Sequence, residues 1–297
     1  MKLSSIFKPR KWASLICETK LAQKMSDAQY LKLRFYGETG YKLNLQNPKT
    51  FNEKLQWLKI HNRREAYTMM VDKVAVKEYV AQKLEAEYVI PNLGVWERPE
   101  DVDFDALPDR FVIKCNHNSG LGMYICRDKA NMDREKVLAQ LRKGLAEDYY
   151  LNGREWPYKN VPRRILAEEY LSDGVSDALE DYKVLCFDGE PKLIELHRGR
   201  FTEGHTQDFY DTDWNKLPIG QVGETNSDID FPRPELLEEM LELSARLAEG
   251  IPHVRVDWYE VKGKLYFGEL TFFDGSGFCA FLDIKDDYLL GNWIPVP

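Results

Sequence analysis

The 297-residue sequence predicts an α+β fold, in which a mostly helical N-terminal region precedes two segments of antiparallel strands and helices. Two observations predict this class. Apolar residues recur at helical spacing through much of the first 105 residues. After an acidic, proline-bounded connector at 99–108, short apolar strands alternate with glycine-containing turns. Hydrophobic residues make up 43% of the chain, which is enough to form a packed core.

The N-terminal region, assigned to residues 1–105, is predicted to hold at least two helices. Residues 51–60 and 71–84 both carry apolar side chains at helical spacing. Asp72 is a candidate N-cap of the second helix, because a short acidic side chain can accept a hydrogen bond from a free backbone N–H group.

A first lobe of strands and one helix is predicted over residues 106–171. Its strands are expected at 111–115, 123–126 and 164–171, and its helix at about 133–147. The segment NHNSGLG joins the first two strands as a polar turn with two glycines.

A second lobe is predicted over residues 172–297. Its main elements are a hairpin over 181–196 that turns at Asp188-Gly189, a helix from Pro234 to Gly250, and a hairpin over 253–273 that turns around Lys262-Gly263.

The charge and cysteine content limit the possible partners and location. Forty-one Lys and Arg against 49 Asp and Glu give a net charge of -8, whereas a nucleic-acid-binding protein is usually basic. No stretch approaches the roughly 20 apolar residues of a membrane span, and the start lacks the apolar core of a secretory signal. Five cysteines without CxxC spacing fit reduced thiols. We therefore expect a cytoplasmic protein without a nucleic-acid partner.

The first 24 residues differ from the rest, because they carry six basic residues and one acid. Apolar residues are interleaved among them, namely Leu3, Ile6, Phe7, Trp12 and Leu15. This pattern is compatible with a helix that lies on an anionic membrane surface, and also with a helix packed on its own domain.

The hairpin over 253–273 carries the most informative constellation. Strand side chains alternate faces, so Arg255 and Asp257 share one face, and Glu269 and Thr271 share one face of the returning strand. A turn centred on Gly263 places Asp257 opposite Glu269 and Arg255 opposite Thr271. Two opposed carboxylates destabilise a hairpin unless a cation lies between them, and oxygen ligands of this kind suit Mg²⁺. The alternative is that each acid pairs with a neighbouring lysine on an exposed face.

Two further features fit a nucleotide. Lys114 ends a strand just before the glycine-containing turn, and such a lysine with backbone N–H groups can hold a phosphate. The acidic strand end AEEYL at 167–171 can receive an adenine amino group or ribose hydroxyls. Taken alone, an exposed strand lysine and a solvated strand end explain both features equally simply.

The order of these motifs resembles the ATP-grasp superfamily over roughly residues 70–280. The segments FNEKLQWLK, FVIKCNHNSG, FYD…WN and GELTFF further resemble the TupA-like ATP-grasp family, from about residue 30 onward. The resemblance implies an ATP-grasp fold, with two α+β lobes that clasp ATP. The helical N-terminal region would stand in place of a full Rossmann-like domain.

By position, the resemblance implies roles for individual residues. The implied nucleotide contacts are Lys73, Lys114, Asn116, His117, Asn118, Ser119 and Gly120 for the phosphates, Glu168, Glu169 and Tyr170 for the adenine, and Asp181 and Lys183 of the DYK motif for the ribose side. Asp257 and Glu269 match the Mg²⁺ ligands, whereas Thr271 stands where the superfamily has asparagine. Arg255 and Lys114 are the candidate catalytic residues, and Arg255 matches an arginine that stabilises an acyl-phosphate-like transition state.

The resemblance implies an ADP-forming carboxylate–amine ligase that uses ATP and Mg²⁺. TupA-like proteins are associated with bacterial surface-polysaccharide synthesis, so the expected substrates are a uronic acid or amino acid and an amine. Two alternatives stay open. Asp211 and Asp213 form a DxD motif that some glycosyltransferases use to hold a nucleotide-sugar, although two acids around a threonine also make a common turn. A non-catalytic ATP-grasp scaffold is the other.

Overall fold

The chain folds into two antiparallel sheets flanked by helices. The computed structural model describes residues 9–174, 179–199, 202 and 204–296. The α-helices are α1 Pro9–Cys17, α2 Asp27–Thr39, α3 Phe51–His61, α4 Ala66–Val71, α5 Ala75–Lys83, α6 Arg134–Leu145, α7 Tyr149–Gly153, α8 Leu237–Ala248 and α9 Ile284–Asn292. The strands are β1 Asn92–Trp96, β2 Phe111–Cys115, β3 Tyr124–Cys126, β4 Ile165–Glu169, β5 Asp181–Phe187, β6 Glu190–Arg198, β7 Thr206–Tyr210, β8 Lys216–Leu217, β9 His253–Val261 and β10 Lys264–Thr271.

The smaller sheet has the strand order β1-β4-β2-β3, and its inner face packs against α6. The strands predicted at 111–115, 123–126 and 164–171 are confirmed. Strand β1 was not predicted, and it lies within the region described as mostly helical. Its sequence NLGVW contains a glycine and is only partly buried, so it has no strand pattern of its own. Pairing with β4 makes it a strand.

The larger sheet has the order β10-β9-β5-β6-β7-β8. Both predicted hairpin turns are confirmed. The φ angles are 51° and 84° at Asp188-Gly189, and 53° and 72° at Lys262-Gly263. Two positive φ angles in succession are those of a type I′ turn, whose twist matches the twist of the flanking strands.

The main hydrophobic core lies on one face of the larger sheet, where α8 and the N-terminal helices cover it. Leu55 of α3 and Val80 of α5 are fully buried there with Val256 and Trp258 of β9. Thr50 fixes the start of α3 through a reciprocal capping box with Glu53. The N-terminal helices thus share the core of the second lobe, and the domain limits at 105 and 171 stay predictions.

The helix predicted over 71–84 is interrupted at its start. Helix α4 ends at Val71 and α5 begins at Ala75. Between them the Asp72 carboxylate accepts hydrogen bonds from the Val74 backbone N–H at 2.9 Å and from the Asn116 side chain at 2.7 Å. Asp72 therefore holds the junction between the two helices against the first lobe rather than acting as a simple N-cap.

The basic N-terminus is described only in part. Of the apolar residues named above, Leu3, Ile6 and Phe7 lie outside the described residues. Trp12 and Leu15 lie in α1 and are 52% and 54% exposed. Over the described ranges, no helix has the length and apolar character that crossing a bilayer would require.

Candidate functional site

A cavity of about 280 Å³ lies between the two sheets. It gathers most of the predicted site residues, namely Lys73, Lys114, Ser119, Gly120, Glu168, Glu169, Tyr170, Asp181, Asp257 and Glu269. Apolar side chains complete the wall, namely Ile90, Val112, Met123, Ile125, Leu171 and Leu179. Residues separated by up to 196 positions in sequence, from Lys73 to Glu269, therefore meet at one place. The lining of the cavity therefore combines apolar and charged side chains.

The first charged residue of the cavity lining, Lys73, lies at the junction of α4 and α5. The break there lets Lys73 leave the helical path, and its ammonium donates a hydrogen bond to the Asn118 carbonyl at 3.0 Å. The same nitrogen lies 3.2 Å from a Glu269 carboxylate oxygen. Lys73 thus links the helical region, the glycine-containing turn and β10.

The bulge in β10 determines where Glu269 sits. Phe267 pairs with Trp258 and Leu270 pairs with Val256, so Gly268 and Glu269 together face Asp257. The predicted one-to-one pairing of Asp257 with Glu269 is therefore wrong, because the bulge adds one residue to β10 at this point. The predicted pairing of Arg255 with Thr271 is confirmed. Both Asp257 and Glu269 still line the cavity.

Cations surround these two carboxylates. Burial raises the pKa of Glu269, but Lys73, Arg255 and Lys183 outweigh this effect and bring its pKa well below the usual range. The Asp257 carboxylate accepts hydrogen bonds from Lys183 at 2.7 Å and from Arg255 at 2.7 and 2.8 Å. Each acid does contact a lysine, Asp257 with Lys183 and Glu269 with Lys73, but Lys183 and Asp257 are buried and do not lie on the exposed face that the alternative assumed.

Lys183 and Arg255 lie under the cavity rather than in its wall. Lys183 is buried and joins Asp181 to Asp257, with 2.7 Å to each. Arg255 is also buried, and its guanidinium donates to Asp257, to Asp274 and to the Thr271 hydroxyl. Burial lowers the pKa of Arg255, but the acids Asp257 and Asp274 outweigh it, so its pKa lies well above the ordinary value.

A metal site would have to be built on few ligands. Within the described ranges, no three His, Cys, Asp or Glu side chains converge on one point. Mg²⁺ at phosphate sites is commonly held by one or two carboxylates, with substrate oxygens and water completing the shell. Asp257 and Glu269 fit that donor set. Thr271 does not line the cavity, and its hydroxyl, 3.3 Å from Arg255, accepts a hydrogen bond from it. The metal-ligand role of Thr271 stays a prediction.

On the first lobe, Glu168 holds two lysines. Its buried carboxylate pairs with Lys77 at 2.5 Å and with Lys114. Burial raises the pKa of Glu168, but the two lysines outweigh it and lower its pKa. Neighbouring strands place these groups, because Val112 of β2 pairs with Glu168 of β4. Lys77 was not predicted, since a single lysine in an amphipathic helix carries no functional pattern.

The glycine-containing turn divides into inward and outward residues. The Asn116, His117 and Asn118 side chains are buried and do not line the cavity. Asn116 donates to Asp72, Asn118 donates to Glu147 at 2.9 Å, and the His117 ring lies 3.2 Å from the Glu147 carbonyl. The predicted phosphate contact of Asn116, His117 and Asn118 therefore does not come from side chains in the cavity wall, and it stays a prediction for this turn. They hold the turn, whereas Ser119 and Gly120 are exposed at the cavity.

Asp274 and Glu195 were also missed. Asp274 lies in the loop after β10, where the sequence FFDG has no strand pattern, and only the folded loop brings it to Arg255. Glu195 is paired with Lys183 across β5 and β6. A regular register from the predicted turn pairs Lys183 with Ile194. A register shift between Leu185 and Cys186 brings Glu195 opposite Lys183 instead, so the sequence did not show this pair.

The DxD motif belongs to a turn between β7 and β8. Asp211 accepts hydrogen bonds from the Asp213 and Asn215 backbone N–H groups at 3.0 and 2.8 Å, and from the Asn215 side chain. These bonds are those of an ordinary turn, and neither aspartate lines the cavity.

Comparison with known proteins identifies the family. The family model described as TupA-like ATPgrasp matches residues 53–295. The fold is similar to D-alanine–D-alanine ligase from Bacillus anthracis complexed with ATP, at 18% identity and TM-score 0.41, over 69% of this chain and 54% of that one. It is also similar to D-alanine–D-alanine ligase from Helicobacter pylori, at 14% identity and TM-score 0.44, over 84% of this chain and 70% of that one. A third similar structure is the ATP-grasp ligase PsnB complexed with minimal precursor, at 14% identity and TM-score 0.42, over 78% of this chain and 62% of that one.

This chain thus spans about half the length of the B. anthracis ligase. No curated protein matches the sequence. The predicted α+β class is confirmed by the two antiparallel sheets and their helices, and the ATP-grasp fold by the family. Because the family model covers far more than half of its residues, the chain belongs to the TupA-like ATP-grasp family.

Proposed function

We propose that this protein is an ATP-dependent ligase that joins a carboxylate to an amine and releases ADP and phosphate. The observation that carries the proposal is the cavity between the sheets. There Lys73 and Lys114 lie near the two carboxylates Asp257 and Glu269, next to an apolar wall. Membership of the ATP-grasp family supports the use of ATP.

The apolar lining residues suit the base of a nucleotide, and the charged lining residues suit its phosphates. Ile90, Val112 and Ile125 offer apolar contact for an adenine ring, and the β4 end at Glu169 and Tyr170 offers polar groups at its edge. Lys73 and Lys114 offer positive charge to the phosphates. The exposed turn at Ser119 and Gly120 can approach phosphate oxygens through its backbone N–H groups.

Asp257 and Glu269 are the groups that would hold Mg²⁺. When bound, the ion would neutralise negative charge on the phosphates of ATP. Burial raises the pKa of Glu269, but the surrounding Lys73, Arg255 and Lys183 outweigh this and lower it, so Glu269 is ionised and ready to receive the ion. The same cations compete with the ion, so Lys73 would have to turn from Glu269 to the substrate phosphate.

The proposed reaction has two steps. A carboxylate oxygen of the first substrate attacks the γ-phosphorus of ATP, the bond to the β-phosphate oxygen breaks, and ADP leaves. The amine then attacks the carbonyl carbon of the acyl phosphate, an amide C–N bond forms, and phosphate leaves with the C–O electron pair. Phosphoryl transfer needs positioned positive charge more than it needs covalent chemistry. Lys73 and Lys114 provide that positive charge. Arg255 would act from beneath, through Asp257.

The substrate class follows from the family resemblance. We propose a uronic acid or an amino acid as the carboxylate, an amino acid as the amine, and a role in the synthesis of a bacterial surface polysaccharide. The proposed place is the cytoplasm, at the periphery of the membrane. The exposed Trp12 and Leu15 on α1, within a basic segment, support contact with an anionic surface.

A screen for ADP release tests the proposal. The protein is incubated with ATP, Mg²⁺ and pools of uronic acids and amino acids, and in parallel with UDP-sugars. We expect release of ADP that requires both a carboxylate and an amine. Asp257→Asn should lose this activity, whereas the matched control Asp213→Asn should keep it. Hydrolysis of a UDP-sugar without ADP release would favour the glycosyltransferase instead, and neither activity would favour the scaffold.

A further inference from the structure

Lys59 of α3 carries a charge but has no exposure to solvent. Its ammonium donates hydrogen bonds to the Gly153 carbonyl at 2.7 Å, to the Ser276 carbonyl at 2.7 Å and to the Ser276 hydroxyl at 3.0 Å. The centroid of the Phe278 ring lies 4.5 Å from the same nitrogen. Burying an ammonium is costly unless its donors are satisfied, and here all three are used. Two of them hold one residue, Ser276.

The charge of Lys59 is balanced by a second buried group, Glu155. Burial lowers the pKa of Lys59, and Glu155 counteracts this. Burial likewise raises the pKa of Glu155, and Lys59 and the Ser276 hydroxyl counteract that. An added Cβ at Gly153 would overlap the Ser276 hydroxyl and lie 3.0 Å from Glu155 Oε1, so the hydroxyl and the carboxylate converge there. The Ser276 hydroxyl therefore interacts with both buried charges.

Ser276 adopts a backbone conformation that favours glycine. Its φ and ψ angles are 55° and 21°, and the glycines on either side have φ angles of 50° and 62°. A non-glycine residue is strained in this left-handed region and persists only where its surroundings hold it. Gln56 of α3 contributes, because its side-chain amide donates to the carbonyls of Ser276 and Gly277 at 3.1 and 2.7 Å. The hydroxyl is thus present at a position where glycine would be less strained.

The loop that carries Ser276 also carries Asp274, whose carboxylate contacts the guanidinium of Arg255. Both groups are buried, and Arg255 donates in turn to the Asp257 carboxylate. The Ser276 backbone N–H donates to the Phe273 carbonyl at 2.8 Å, which encloses Asp274 in a tight turn. A shift of Ser276 would therefore displace Asp274, and with it the buried partner of Arg255.

We infer that Ser276 and Lys59 are positioning residues, which fix the loop after β10 and thereby the orientation of Arg255. This inference rests on the proposed function, in which Arg255 acts on phosphoryl transfer from beneath the cavity. Neither Ser276 nor Lys59 lines the cavity, so their effect on the reaction passes through the loop. Loss of the hydroxyl should therefore lower turnover and leave ATP binding nearly unchanged.

The variant Ser276→Gly separates this role from a merely structural one. It removes the hydroxyl and suits the local φ angle, so the variant is expected to fold. The matched control is Lys262→Gly in the turn between β9 and β10, which removes an exposed side chain at a φ angle of 53°. Turnover per folded molecule is measured as ADP release with the carboxylate and amine found by the screen, and ATP affinity by calorimetric titration.

In Ser276→Gly, turnover per folded molecule should fall about tenfold, because a small misplacement of a catalytic charge lowers the rate, while ATP affinity stays within about twofold. Lys262→Gly should resemble wild type in both. The double variant Lys59→Met, Glu155→Gln removes both buried charges together and should lower turnover in the same way. In an Arg255→Met background, Ser276→Gly should have almost no further effect, because both changes act on one contact.

Unchanged turnover in Ser276→Gly would overturn the inference. So would a full tenfold loss on top of Arg255→Met, since the two residues would then act independently. A loss of ATP affinity as large as the loss of turnover would also overturn it, because the nucleotide site itself would have changed. If wild type releases no ADP with any pair of substrates, the proposed function is refuted, and the inference falls with it.

Discussion

The ammonium of Lys73 lies 3.2 Å from the carboxylate of Glu269, and this pair joins the junction of α4 and α5 to the bulge of β10. The N-terminal region therefore contributes residues to the site, namely Lys73 and Ile90. Lys73→Met is expected to weaken MgATP binding about tenfold or more, because one desolvated charge contact to the phosphates is lost. Calorimetric titration measures it, with exposed Lys262→Met as control. Equal affinities would place Lys73 outside the nucleotide site.

MgATP is expected to raise the melting temperature, because a ligand that binds only the folded protein stabilises it. Asp257→Asn and Glu269→Gln should remove most of the Mg²⁺-dependent part of this shift. Asp213→Asn, in the turn after β7, should keep it. Differential scanning fluorimetry with ATP, with and without Mg²⁺, measures the shift. No shift in wild type at saturating MgATP would contradict nucleotide binding.

Arg255→Met is expected to have two effects. The free energy of unfolding should fall by about 3 kcal/mol, because Asp257 and Asp274 lose a buried partner. Turnover per folded molecule should fall about a hundredfold while ATP affinity stays within tenfold, as for one lost preorganised electrostatic contact. Unfolding, affinity and turnover are measured on one preparation. A destabilised variant with normal turnover per folded molecule would leave Arg255 with only a structural role.

Glu168 gives the stability a defined dependence on pH. Its pKa is lowered in the folded state, so it stabilises the protein above the unfolded-state value of about 4.3, and this contribution is lost as the pH falls further. Glu168→Gln should cost about 2 kcal/mol at neutral pH, because Lys77 and Lys114 lose their shared acid. The difference from wild type should shrink toward pH 3. Urea unfolding across this range checks it, and a constant difference would contradict the assigned pKa shift.

Two glycines of the turn after β2 offer a matched comparison. Gly122 has a φ of 76°, and an added Cβ would lie 2.8 Å from the Cys115 sulfur and 3.0 Å from Gly144 Cα. Gly120 has a φ of 81° but no atom within 4 Å of an added Cβ. In both alanine variants the positive φ should lower the free energy of unfolding by about 1 kcal/mol. Gly122→Ala should lose about 2 kcal/mol more through overpacking. Equal losses in urea unfolding would show that the contact with α6 is not tight.

The exposed apolar residues of α1 test contact with a membrane. Replacing Trp12 and Leu15 by serine should reduce co-sedimentation with anionic vesicles several-fold, because apolar burial and basic charge act together at such a surface. Leu282→Ser removes a leucine elsewhere that is 69% exposed, more than Leu15, and should have no effect. Unchanged sedimentation of the α1 variant would refute docking through this helix.

Much of the fold was predictable because local patterns and tertiary structure agree. The turns at Asp188-Gly189 and Lys262-Gly263 need positive φ, and the sequence supplies residues that tolerate it. Strand β1 was not predictable, since its identity depends on pairing with β4. The bulge at Gly268 was missed for a related reason. A two-against-one register leaves no trace in the alternation of side chains.

The site was predictable where residues lie on regular strands. Asp257, Glu269 and Lys114 line the cavity because strand periodicity determines which way they point. The inward direction of the Asn116, His117 and Asn118 side chains, toward Asp72 and Glu147, was not predictable, because a turn has no such periodicity. Asp274 comes from an irregular loop, so only the folded chain brings it to Arg255.

Transfer of ¹⁸O tests the central claim most directly. The carboxylate substrate found by the ADP screen is labelled in both carboxyl oxygens and converted to amide with ATP, Mg²⁺ and an amine. If the carboxylate attacks the γ-phosphorus, one labelled oxygen per turnover appears in inorganic phosphate, as measured by mass spectrometry. Phosphate without label, formed together with amide, would contradict activation of the carboxylate by phosphoryl transfer.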